Sequence, residues 1–157
     1  MKGIISMKNY YIENSSKSLD LTELACLETI SKENLIENGG TLSLTFFDML
    51  KVLHKHNIIP YLIRFKNLYN SHCLGYCIFY YSEPGTIQIS HICVDNKHIN
   101  KGIGTQLLNH IKTWYNFETI TADISYNNTI SQNFFKKHSF ILKNNKEKQR
   151  YRAIYKS

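Results

Sequence analysis

Hydrophobic positions along this chain change period several times, and each change marks an element. Leu21, Leu24, Leu27 and Ile30 recur at helical spacing, and Asp20-Leu21-Thr22-Glu23 ahead of them reads as a capping box with Asp20 as N-cap. A helix is predicted from about 21 to 31. Glu37-Asn38-Gly39-Gly40 breaks it, and a second helix is predicted over 43–55 with Phe46, Phe47, Leu50 and Leu53 turned inward. The period then falls toward two. Residues 58–65 read as a strand, with Pro60 near the start where a missing donor is tolerated. Residues 72–81 are apolar on both faces, which predicts a strand covered on both sides. Glu83-Pro84-Gly85 turns the chain into the next strand, 86–94. Ahead of all these, 7–14 is a short aromatic strand.

Past residue 94 the pattern becomes helical again. Ile103, Leu107, Leu108, Ile111 and Trp114 fall on one face and predict a helix over 102–115. In 118–125, Thr119, Thr121, Asp123 and Ser125 alternate with Ile120, Ala122 and Ile124, a strand with one polar face. A short helix over 129–138 carries Ile130, Phe134 and Phe135 on one side, and 140–143 and 151–155 close the chain as strands. Strand 86–94, its helix and strand 118–125 form a right-handed parallel crossover, while the strands before it pair antiparallel. The fold class is α/β (α+β): one domain over 1–157, with a mixed, mostly antiparallel sheet and helices on both faces. Residues 1–7 read as a disordered leader, with Met7 as an alternative start.

Composition narrows the class. With 157 residues, 43% hydrophobic and 20% charged, the chain reads as a globular protein with a full-sized core. It has no apolar run long enough to span a bilayer and no export signal, so it is expected in the cytoplasm and off the membrane. Cys26, Cys73, Cys77 and Cys93 have no zinc spacing, and His54-Lys55-His56 has no matching cluster. Free thiols and no metal are expected. The net charge of +7 favours an anionic ligand. Only Lys143, Lys146, Lys148, Arg150 and Arg152 are dense, and they read as a solvated loop between two strands.

The chemistry concentrates where strand 86–94 hands over to the next helix. A helix N-terminus offers unpaired N–H groups and a partial positive charge. Gly102 and Gly104 let an anion approach that backbone closely. A phosphate or pyrophosphate site is expected there.

Two motifs carry a family resemblance over roughly residue 58 to the C-terminus. Ile92-Cys93-Val94 ends a strand and leads, without a gap, to Ile99-Asn100-Lys101-Gly102-Ile103-Gly104 before a helix. After the next strand come Asn128, Ser131, Phe135 and Ser139-Phe140. This arrangement resembles the GNAT N-acetyltransferase superfamily. The resemblance implies acetyl-CoA as co-substrate, with Ile92, Cys93 and Val94 along the pantetheine arm. It puts Ile99, Asn100, Lys101, Gly102, Ile103, Gly104 and Thr105 at the pyrophosphate, and Asn128 and Phe135 against the cofactor. Asn128 also suits the cap of the following helix. Three positions depart from the family pattern. Ile99 replaces Arg or Gln, Ser139 replaces Gly, and Phe135 replaces the Tyr that protonates the leaving thiolate in many members.

Attack by an amine on a thioester requires a proton acceptor, donors for the developing oxyanion, and close positioning. Asp123, on the polar face of its strand, is one candidate base, and its alternative role is an edge Asp bonded to neighbouring backbone. Gln88 stands where some members carry a catalytic Glu and can hold a water. His91 has a suitable pKa. It falls with Ile87, Ile89 and Cys93, however, and reads better as a packed, satisfied histidine. A chain of waters is a further route.

The expected function is acetyl-CoA-dependent transfer to a primary amine, of a small molecule or a peptide, by direct attack in a ternary complex. A GNAT-like domain that binds acyl-CoA without transfer is the alternative. A basic nucleic-acid-binding module ranks last. A dinucleotide fold is excluded because Leu107 stands where the third glycine is needed. A homodimer stays open, and neither the amine nor the length of the acyl group is legible.

Overall fold

The computed structural model describes residues 7–15, 21–37 and 44–157. The chain runs β1 (Tyr10–Ser15), α1 (Leu21–Glu37), α2 (Phe46–Lys55), β2 (Tyr61–Asn67), β3 (Cys73–Glu83), β4 (Thr86–Val94), α3 (Ile103–Trp114), β5 (Thr119–Ser125), α4 (Thr129–Lys137), β6 (Ile141–Asn145) and β7 (Arg150–Lys156). The Asp20 cap, the break at 38–40 and residues 1–6 of the expected leader lie outside the described residues. Among the described residues, no helix is long and apolar enough to cross a membrane.

β3 sets the layout. Its first seven residues, apolar on both faces, are all buried, so both faces of the sheet at β3 need a cover. α3 and α4 supply one, packing Ile103, Leu107, Leu108, Ile111 and Phe135 over Ile63, Cys77, Phe79, Ile87 and Ile120. α1 and α2 supply the other, with Leu27, Ile30, Phe46 and Leu53 against Tyr76, Ile78 and Cys93. The seven strands form one sheet in the order β1-β2-β3-β4-β5-β7-β6. β4 and β5 pair in parallel and the other neighbours antiparallel, the mixed sheet that the crossover predicts.

Several inward assignments do not hold. Phe47, Trp114 and Ile130 are 38%, 72% and 63% exposed. Trp114 sits in the last residue of α3, past the buried stripe that ends at Ile111, and tilts against His110. Ile130 lies in the first turn of α4. Phe47 turns its ring edge onto Phe46, which takes the core position. The basic stretch 143–152 is also not a loop. Lys143 lies in β6, Arg150 and Arg152 lie in β7, and only 146–149 turn.

His91 changes faces. Ile78 pairs with His91 but Phe79 pairs with Ile89, so Ser90 is an extra residue in β4. This bulge reverses the alternation. Ile87 and Ile89 face α3 and α4, whereas His91 and Cys93 face α1 and α2.

Candidate active site

β4 and β5 pair only through Thr86↔Thr119 to Ile89↔Ala122. Beyond the Ser90 bulge the two strands run on, to Val94 and Ser125, without pairing. A cleft of about 90 Å³ lies between them. Its walls include His91, Ile92 and Cys93 of β4, Asp123 of β5, and Asn128 and Phe135 at the start and middle of α4. Five of the expected site residues therefore meet at one gap: Ile92, Cys93, Asp123, Asn128 and Phe135.

The main chain of β4 is directed into this gap. The Asp95 N–H donates to Leu74 O in β3 at 2.8 Å. Main-chain groups alternate sides along a strand, so those of Val94 and Ile92 point away from β3, toward the cleft. The Val94 carbonyl already accepts from Asn34 Nδ2 of α1 at 2.8 Å. Asn34 also lines the cleft. Sequence reasoning missed it, although a signal was present: Asn34 stands four residues after Ile30 and puts an amide on the apolar stripe of α1.

After β4 a short 3-10 turn, Asn96–His98, leads to the glycine loop. Asn100 and Gly102 adopt left-handed conformations, with φ of 63° and 84°. Gly102 is the N-cap of α3 and makes no side-chain cap bond. The first amides of α3 are thus left without a cap from that residue, as an anion site requires. A Cβ at Gly104 would meet the Phe134 ring at 3.0 Å, so this glycine lets α3 and α4 close up beside the cleft. Thr105 Oγ1 and His138 Nε2 join the same two helices at 3.0 Å. Lys101 is half-exposed beside the loop, Ile103 is buried beneath it, and Ile99 is 45% exposed.

The candidate bases differ in setting. Asp123 accepts from Arg152 Nε at 3.1 Å and from Arg152 Nη2 at 3.2 Å. Gln88 is buried, accepts a hydrogen bond from Thr121 Oγ1, and does not belong to the cleft wall. His91 is 2% exposed. Its Nδ1 contacts the Tyr76 hydroxyl at 3.2 Å, and its Nε2 has no hydrogen-bond partner among the described residues. Burial pushes its imidazole down to about 4, so the ring is neutral near pH 7. It is packed, but not satisfied as expected.

Asn128 caps α4, its Oδ1 accepting from Ser131 N at 3.0 Å. Phe135 is buried against Phe134 and Phe140 at ring distances of 5.2 and 4.9 Å. Among the described residues, no group of three His, Cys, Asp or Glu is placed to hold a metal ion.

Residues 27–140 match the sequence profile of the Acetyltransferase (GNAT) family. The chain belongs to the GNAT acetyltransferase family. As a GNAT acetyltransferase it is an acyltransferase. Its fold resembles that of the PaiA N-acetyltransferase from Thermoplasma acidophilum, solved in complex with coenzyme A. The TM-score is 0.67 at 15% identity, over 94% of this chain and 99% of that one. An acetyltransferase from Thermus thermophilus aligns with a TM-score of 0.72 at 14% identity, over 93% and 97% of the two chains. Ard1 from Thermoplasma volcanium aligns at 0.70 and 11% identity, over 94% and 97%. At these identities the likeness establishes the GNAT fold. No curated protein matches the sequence.

Proposed function

We propose that this GNAT protein is an acetyl-CoA-dependent N-acetyltransferase, moving an acetyl group to a primary amine by direct attack in a ternary complex. The observation that supports this reading best is the parting of β4 from β5 beyond Ile89↔Ala122, with the Val94 and Ile92 main chain directed into the gap. Acetyl-CoA supplies the activated acyl group as a thioester. The chain has the surfaces to receive it: an open strand edge for the amides of pantetheine, and a helix start at Gly102, a residue with no side chain to cap it, for the pyrophosphate. With Ile99 in place of a longer polar side chain, the main chain from Asn100 to Thr105 carries most of the anion binding, and Lys101 adds charge. A main-chain N–H of β4 polarises the acyl carbonyl.

Asp123 is the carboxylate on the cleft wall and the residue we assign to the amine proton. Arg152 grips both of its oxygens and fixes its orientation. Gln88 stands behind it, bonded to Thr121, where it can steady a water. Phe135 has no proton to give the departing thiolate, so solvent serves there. That same residue favours a second reading, a domain that holds acyl-CoA without transferring it.

Calorimetric titration of acetyl-CoA into the wild type and a Gly104→Glu variant tests the site, with circular dichroism to show that both are folded. Saturable binding by the wild type alone is expected. Binding by both, or by neither, removes the loop assignment. A panel of primary amines, read by release of free thiol, then separates transferase from acyl-CoA binder.

A further inference from the structure

The cleft passes through the sheet. Phe135 and Ile124 belong to the layer of α3 and α4, whereas Asp123 alternates with Ile124 and Asn34 belongs to α1 on the other face. The glycine loop opens α3, so coenzyme A comes from the α3 side. Resting on the transferase reading above, the acceptor amine therefore meets the thioester from the α1 side.

That side carries a definite charge pattern beyond β4. Ile120, Ala122 and Ile124 face α3 and α4, so Thr121, Asp123 and Ser125 face the other way. Across the ladder, Asp123 pairs with Arg152 and Arg152 with Lys143. Ser125 pairs with Arg150 and Arg150 with Asn145. Residues paired across strands share a face, so Arg150, Arg152 and Lys143 stand in a group on the acceptor face beside Asp123. All three are exposed, and α1 packs over β3 and β4 rather than over these outer strands. Lys146 and Lys148, with Glu147 between them, leave the adjoining turn net positive. Within the two ladder rows, three cations face one acid.

We propose that the acceptor is an amine that also carries a carboxylate. Asp123 receives the ammonium end, and Arg150, Arg152 and Lys143 receive the carboxylate one or two strands away, roughly 5–10 Å from it. An amine of purely cationic character would be repelled by the same group of side chains. The Arg152–Asp123 fork keeps the acid and the first cation at a fixed separation. A zwitterionic acceptor is thereby read at both ends.

Three acceptors of matched length test this: 6-aminohexanoate, 6-aminohexanamide and 1,6-diaminohexane, each with acetyl-CoA at low ionic strength and free thiol as the readout. The expected result is a kcat/KM for 6-aminohexanoate about tenfold above that of the amide, as a few exposed charge pairs would give, with the diamine poorest. Salt should erode the preference. A Lys143→Gln/Arg150→Gln double variant should bring the carboxylate-to-amide ratio close to one while its acetyl-CoA affinity stays that of the wild type. Equal or better use of the amide or the diamine overturns the proposal. So does a preference that survives in the double variant, or an enzyme that binds acetyl-CoA and acetylates none of the three. A wild type that does not bind acetyl-CoA would instead overturn the transferase reading on which the proposal rests.

Discussion

His91 Nδ1 lies 3.2 Å from the Tyr76 hydroxyl, and the other ring nitrogen, Nε2, is buried with no hydrogen-bond partner among the described residues. An imidazole in this setting stays neutral, and burial brings it from the ordinary 6.5 to about 4. Below pH 6.5 the unfolded chain takes up a proton that the folded chain refuses. Stability contributed by neutral His91 is therefore complete above 6.5 and falls progressively toward pH 4, by up to about 3 kcal/mol. Urea unfolding of the wild type and a His91→Gln variant across this range should show the steeper acid decline in the wild type. Parallel curves would remove the buried neutral histidine from the account.

Asp123 lines the cleft with both oxygens held by Arg152. If it takes the amine proton, Asp123→Asn keeps the shape and removes the acceptor. The expected loss in kcat is about 100-fold, at the lower end for a positioned base, with acetyl-CoA affinity unchanged by calorimetry. A variant within threefold of wild type would assign the proton to ordered water instead.

A separate ionic group lies far from the cleft, at the β1 side of the sheet. Arg64 and Lys66, only 3% and 4% exposed, both contact Glu13 and Glu23. Burial pushes the Glu23 carboxyl up, but hydrogen bonds from Lys66 and Arg64 outweigh this and hold it below the usual carboxylate value. Its stabilising contribution is present above the unfolded value and is lost as pH falls through the folded one. Among the described residues, Glu23→Gln leaves two buried cations with Glu13 as their one carboxylate. It should destabilise the fold by about 3 kcal/mol, measured by urea unfolding at pH 7. Little or no change would mean that solvent reaches the cations.

Gly75 of β3 sits under the start of α3. A Cβ there would approach Ile103 Cγ2 at 2.9 Å and the Cys93 carbonyl oxygen at 3.1 Å. The second neighbour is main chain of β4 and cannot rotate away. Gly75→Ala should cost about 1–3 kcal/mol by overpacking and weaken acetyl-CoA binding as α3 is pushed off the sheet. A thermal melt and a titration on the same preparation check both. Loss of stability with full affinity would uncouple α3 from the site.

The fold was legible wherever local chemistry decides. The two-faced apolar run became the buried β3, the turn at Gly85 sits at φ 83°, and the handover after Val94 places left-handed Gly102 at the N-cap of α3. What escaped depends on contacts far apart in sequence. The Ser90 bulge is defined by pairing with β3, and no residue type announces it, so strict alternation puts His91 on the wrong face. β7 pairs with β5 on one side and β6 on the other, which turned an apparent basic loop into strands and brought Arg152 to Asp123. Asn34 reaches Val94 across 60 positions of chain. The helix ends also misled, because periodicity alone does not say where a supporting sheet stops, as Trp114 shows.

The parting of β4 from β5 cuts an open-ended slot in the sheet, closed at one end by the four ladder pairs from Thr86 to Ile89. For the transferase proposed above, donor and acceptor would meet there from opposite faces of the sheet. An inhibitor joining both halves in one molecule would lie across this slot with one half on each face of the sheet, and its path in and out would be the unpaired end beyond Ile89 and Ala122.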